Sequence, residues 1–211
     1  MGTSFGGIAP QAFGLYLLTE AAMSVSPGPA VLFVASRGLA HGVRGAWPAA
    51  LGVVLANGFY FIVTGLGVGA ALLAVPRLFL LLKWAGAAYL LWLAWGAFTA
   101  RPGALSLSAN VPRVPALRTF REVVLLQLAN PKALLMFTAI IPQFVATGQP
   151  VAPQMAWLAA GSMIPEFFIL LGYATLAAAT RHLLGSPEEL RWVERACALL
   201  LAGCAALVLA K

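Results

Sequence analysis

Apolar residues fall in long stretches along this chain, separated by short polar segments. A transmembrane helix needs about 20 mostly apolar residues. The stretches at residues 11–36, 45–75, 78–100, 123–147, 153–180 and 192–210 answer that description. The longest polar segment, 101–122, carries Pro102, Pro112 and Pro115 with Arg113, Arg118 and Arg121, and it divides the stretches three and three. The pattern predicts an all-α integral membrane protein of one domain with six transmembrane helices. Residues 1–100 form the first three-helix half, 101–122 a basic inner linker, and 123–211 the second half.

The first and fourth stretches are interrupted. Ser24-Val-Ser-Pro-Gly-Pro-Ala30 breaks the first, where Pro27 and Pro29 lack a backbone donor and Gly28 admits angles other residues avoid. Asn130-Pro131-Lys132 breaks the fourth, about 103 residues later. At a shift of 104, Ala56-Asn57-Gly58 falls near Ala160-Gly161-Ser162. Three spans per half is an odd number, so the second half enters the membrane from the opposite side. The prediction is two inverted three-helix repeats with broken first and fourth helices. Interrupted segments at corresponding positions of two inverted halves point to a transporter's binding site. Proline kinks without a ligand are the structural alternative.

Composition narrows the class. At 62% hydrophobic and 9% charged, with mean hydropathy +0.92, the chain lies far from the roughly 25% charged content of soluble domains. It leaves no room for a soluble catalytic domain, so an enzyme is not expected. The net charge of +7 sits in short loops and reads as membrane orientation, and no nucleic-acid partner is expected. With the N-terminus outside, the inner loops hold nine basic residues: Arg37, Arg44, Arg101, Arg113, Arg118, Arg121, Arg181, Arg191 and Arg195. Arg77, Lys83 and Lys211 fall outside, which favours both termini outside. Cys197 and Cys204 would share a helix face about 10 Å apart, too far for a disulfide. No metal or other cofactor is expected. No lysine follows a glycine in a phosphate-binding loop, which argues against ATP-driven transport. No cleavable signal peptide is expected either, since the N-terminus lacks a basic region.

Charges inside spans cost on the order of 3 kcal/mol each by insertion scales. Glu20, Lys132 and Glu166 are the three that stand out. Glu20 or Glu166 is a candidate to take up a proton in one facing state and release it in the other. The bland alternative is a static Glu–Lys pair that fixes helix packing. Asn57, Asn130, Ser24 and Ser26 are polar near the same depth and suit an amino or carboxylate group, or equally helix glue and cap duty. The candidate substrate or proton path is therefore Glu20, Ser26, Pro27, Gly28, Pro29, Asn57, Asn130, Pro131, Lys132 and Glu166.

Several motifs resemble the lysine exporter (LysE/RhtB) family of amino-acid efflux proteins. They are Ser26-Pro-Gly-Pro-Ala30, Arg37-Gly-Leu-Ala-His-Gly-Val-Arg-Gly45, Ala50-Leu-Gly-Val53, Leu82 to Leu93, Leu128-Ala-Asn-Pro-Lys132 and Ile141-Pro-Gln-Phe144. Where that family often carries Asn or Asp after Pro-Gly-Pro, this chain has Ala30. The resemblance implies a secondary exporter of amino acids or related small metabolites in the bacterial inner membrane, driven by proton antiport. Its expected partners are the substrate, protons and the lipid bilayer, with a homodimer left open. A passive channel or cation permease, and a scaffold that transports nothing, are the alternatives.

Overall fold

The computed structural model describes residues 4–25, 28–67 and 114–180, with the isolated positions 84, 88, 91, 95, 192, 195, 199 and 202. The third and sixth expected spans and most of the basic linker lie outside the described residues, as do Ser26 and Pro27.

Six α-helices carry the described fold: α1 (Pro10–Val25), α2 (Pro29–His41), α3 (Val43–Gly65), α4 (Ala116–Leu128), α5 (Pro131–Leu135) and α6 (Val151–Thr180). Helices α3 and α6 are each long and apolar enough to cross a membrane alone. The pair α1–α2 is bent by 54°, and α4 is bent by 53° against the segment from Lys132 to Phe144; each pair is long enough together to make one broken span. The spans differ from expectation mainly at their ends. Helix α2 continues to His41, so Arg37 and His41 are helical rather than in a loop. Helix α4 starts at Ala116, so the end of the linker, with Arg118, Arg121 and Glu122, already belongs to it. Charges at those helix ends pair with each other: Arg37 donates to Glu122 at 2.7 Å and Arg118 to the same carboxylate at 2.9 Å.

Both breaks use one local solution. Gly28 caps α2 with Pro29 as its first residue, and Asn130 caps α5 with Pro131 as its first. A proline suits that position because its missing donor is unpaired there anyway. The Asn130 side chain accepts from the Lys132 amide at 3.0 Å. The equivalent parts are therefore Gly28-Pro29 and Asn130-Pro131, 102 apart, while the preceding helix ends, Val25 and Leu128, are 103 apart. The first break is one residue longer than the second. Gly28 has φ −143 and ψ 180, which is ordinary extended backbone, so the expectation that it supplies unusual angles is corrected. It lies against the Lys132 stem: a Cβ there would stand 3.4 Å from Lys132 Cδ, an ordinary contact distance. Gly42, with φ 68, is the residue that needs a glycine's freedom, because it alone joins α2 to α3.

Beyond α5 the chain passes through a π-helical turn, Met136–Ile140, and a 3-10 turn, Ile141–Phe144. Two local causes act on it. Pro142 has no amide to give to Thr138. The Thr138 hydroxyl donates to Leu134 O at 2.6 Å and competes with the helix's own bonding.

Two apolar clusters hold the helices together. One gathers Ile8, Phe13, Tyr16, Tyr60, Phe61, Phe137, Ile141, Met155 and Leu158. The other gathers Ala30, Val34, Ala46, Ala49, Val53, Val123, Leu126, Leu170 and Ala174. Small residues let the second close tightly. A Cβ at Gly38 would lie 2.5 Å from Ala174 O, and one at Gly52 would overlap Val123. Each of the four segments runs from one cluster to the other. The α1–α2 segment and α6 leave the first and arrive at the second; α3 and the α4–α5 segment run the other way.

Candidate functional site

Between the clusters lies a polar layer. Glu20, Ser24, Asn57, Gln127, Asn130 and Ser162 are all buried there, each on a different turn between the two apolar ends of its segment. In a bilayer such groups must find partners within the protein, and most of these do. Ser24 Oγ and Ser162 Oγ both donate to Glu20 Oε1, at 3.3 and 2.8 Å. Asn57 Nδ2 donates to Glu166 Oε2 at 2.5 Å, and Gln127 Nε2 donates to Asn57 Oδ1 at 2.8 Å. Asn130 Nδ2 donates to Gln127 Oε1 at 2.9 Å. Glu20 Oε2 is the exception: it is buried and no group among the described residues donates to it.

These side chains surround a cavity of about 40 Å³. That holds about three water molecules or one compact polar group. Its wall brings together Glu20, Gly28, Asn57, Asn130, Lys132 and Glu166 from the sequence-predicted path. Residues from both breaks therefore meet at one place. Ala30 is on the wall too, in the first turn of α2. Pro29 is buried beside it. Pro131 is placed as the first residue of α5.

The charges are arranged unevenly. Two carboxylates and one ammonium share the wall. Lys132 Nζ donates to Met23 O, at the open end of α1. A helix end leaves its last carbonyls without partners and carries partial negative charge, so a cation is stabilised there. Two further carbonyls at the breaks are met by tyrosines. Tyr173 on α6 donates to Val25 O at 2.6 Å, and Tyr60 on α3 donates to Leu128 O at 2.6 Å. Those two carbonyls are the last of α1 and α4, and each is capped by a tyrosine from the opposite half.

Sequence reasoning left out Gln127, Ser162, Tyr60 and Tyr173. Two had a readable signal. Gln127 is a polar residue three positions before Asn130, on the same helical face. Ser162 stands four before Glu166, as Ser24 stands four after Glu20. The tyrosines had none, because a hydroxyl that reaches across to a broken helix end depends on tertiary placement.

A family model described as LysE type translocator matches residues 21–211. This chain belongs to that family. LysE type translocators are transporters, and so this chain is a transporter and not an enzyme. Among its relatives is a homoserine/homoserine lactone efflux protein of Salmonella typhi, 31% identical over 181 residues, covering 86% of this chain and 87% of the relative. A leucine efflux protein of Salmonella typhimurium is 28% identical over 176 residues, 83% of each chain. A membrane protein of Vibrio cholerae with no assigned activity is 28% identical over 193 residues, 92% of this chain and 94% of the relative. No solved structure matches the chain. The family match covers both breaks and every described wall residue except Glu20, which lies one position before it starts.

Proposed function

We propose that this LysE type translocator is a secondary exporter of amino acids or related small metabolites, exchanging substrate for protons across the bacterial inner membrane. The observation that carries the reading is the cavity between the two breaks, with an unpartnered carboxylate oxygen of Glu20 in the same buried layer. An α-amino acid offers an ammonium group to that oxygen. Its carboxylate suits Lys132 and the amides of Ala30 and Val31 that follow Pro29 in the first turn of α2, since helix N-termini favour anions. The cavity as it stands admits only a head group, so a whole amino acid needs its walls to part; the apolar wall of Ala30, Val31, Met136 and Phe137 then favours an uncharged side chain, in keeping with relatives named for homoserine and leucine efflux. When no substrate is present, a proton on Glu20 removes the cost of its bare charge, which makes ammonium and proton alternatives at one oxygen.

Two inverted halves form the frame of the proposal. The opposite running directions of the two broken spans support it, as do their bends of 54° and 53°. So does the ion pair of Arg37 and Glu122, which joins the end of the first broken span to the start of the second. The clustering of Arg37, Arg118 and Glu122 there supports an inner face at that end and both termini outside.

Ligand stabilises the state that binds it. A saturating neutral amino acid, leucine or homoserine first, is expected to raise the melting temperature of the detergent-purified protein by about 5–10 °C. Glu20→Gln is expected to remove most of that shift while leaving the unliganded protein folded. No shift across a panel of amino acids, or an undiminished shift in Glu20→Gln, would count against the reading.

A further inference from the structure

The hydrogen bonds that reach Glu166 form one directed chain. The Lys132 backbone amide donates to Asn130 Oδ1, Asn130 Nδ2 to Gln127 Oε1, Gln127 Nε2 to Asn57 Oδ1, and Asn57 Nδ2 to Glu166 Oε2. Four segments are joined this way: α5, α4, α3 and α6. The direction is fixed from both ends. A backbone amide only donates, so the Asn130 oxygen must face it and its nitrogen must face Gln127. Each amide in turn imposes the same orientation on the next. At the far end, the carboxylate must accept.

We infer that this chain is a positioning device for transport, in which Glu166 acts through Asn57 and Gln127 to hold the cap of α5, while Glu20 is left to meet the cargo. The inference rests on the exporter reading. A proton arriving on Glu166 Oε2 places a hydrogen against the Asn57 donor. The carboxyl must then turn its other oxygen toward Asn57 or give up the bond. Loss of that bond releases Asn57 and passes through Gln127 to Asn130, because no amide in the chain can reverse without losing the backbone bond at Lys132. The second break thus registers the charge of Glu166. The titratable groups that face Glu166 are Glu20 and Tyr16 on α1 and Lys132 on α5. Helix α3 presents Asn57 to it, and α2 carries Arg37, which is paired with Glu122. Glu20 lies outside the chain, since its partners are the two serines.

The test needs no known substrate. Val25 and Leu135 are exposed ends of α1 and α5. Spin labels on Val25→Cys and Leu135→Cys, with Cys197 and Cys204 replaced by Ala, report the distance between the two breaks in proteoliposomes. The parent is expected to change its distance distribution between about pH 5 and pH 8. Glu166→Gln keeps the size and an acceptor oxygen, so it is expected to fold and to show one distribution at both values. Gln127→Leu is expected to lose the change as well, and adding it to Glu166→Gln to have no further effect. A parent that does not respond, or variants that respond as the parent does, would overturn the inference. Counterflow of labelled leucine and homoserine, run in parallel, separates the two claims. A pH response without flux in the parent contradicts the exporter reading and leaves the positioning device standing.

Discussion

Glu20 and Glu166 are each one helical turn from a serine, and the difference between them lies in what else they touch. Among the described residues, Glu20 receives two hydroxyls on one oxygen and nothing on the other, whereas Glu166 is held by an amide. Both carboxylates were legible in the sequence because a charge in an apolar run is rare and needs a reason. Their partners were only half legible, since Ser24 shares a helix with Glu20 but Ser162 comes from 142 residues away. The tyrosine caps give a residue-scale prediction. Tyr60→Phe removes the donor to Leu128 O but keeps the ring stacked on Phe137 at 4.9 Å. It is expected to destabilise the protein by about 1 kcal/mol, read from thermal unfolding in detergent. No measurable loss would mean that the ring, rather than the hydroxyl, carries the contact.

At the scale of elements, the two breaks were the strongest sequence signal, because Pro-Gly-Pro and Asn-Pro-Lys interrupt runs that otherwise read as continuous helices. The structure shifts their match by one residue, since what the two breaks share is a cap followed by a proline rather than the proline pair itself. Helix ends were less legible. The end of α2 and the start of α4 carry arginines, which a hydropathy window assigns to loops, yet Glu122 satisfies two of them and the helices persist. The π turn after α5 had no pattern of its own and follows from Pro142 and Thr138 acting together. Close contact between α2 and α6 depends on Gly38. Gly38→Val is expected to cost about 1–3 kcal/mol through overpacking against the Ala174 backbone, measured by thermal unfolding. Gly172 has no atom of the described residues within reach of a Cβ, so Gly172→Ala is the matched control and is expected to keep or raise stability.

Across the whole molecule, the polar layer lies between two apolar clusters, and chain segments cross it in both directions. The sequence placed Asn57, Asn130 and Ser24 near one depth, but Gln127 and Ser162 are single polar residues that join the layer only once the helices are assembled. The proposed exporter, built on two inverted halves, would use this layer as a single site reachable from either side as the halves rock against each other. A channel with the same walls needs no such movement, and the two differ in counterflow. The most direct measurement loads proteoliposomes with unlabelled leucine or homoserine and follows entry of the same labelled compound. The account predicts transient accumulation of label above equilibrium, abolished by Glu20→Gln and driven further by an imposed pH gradient. Label that only equilibrates, at a rate that does not saturate and is indifferent to Glu20, would contradict it.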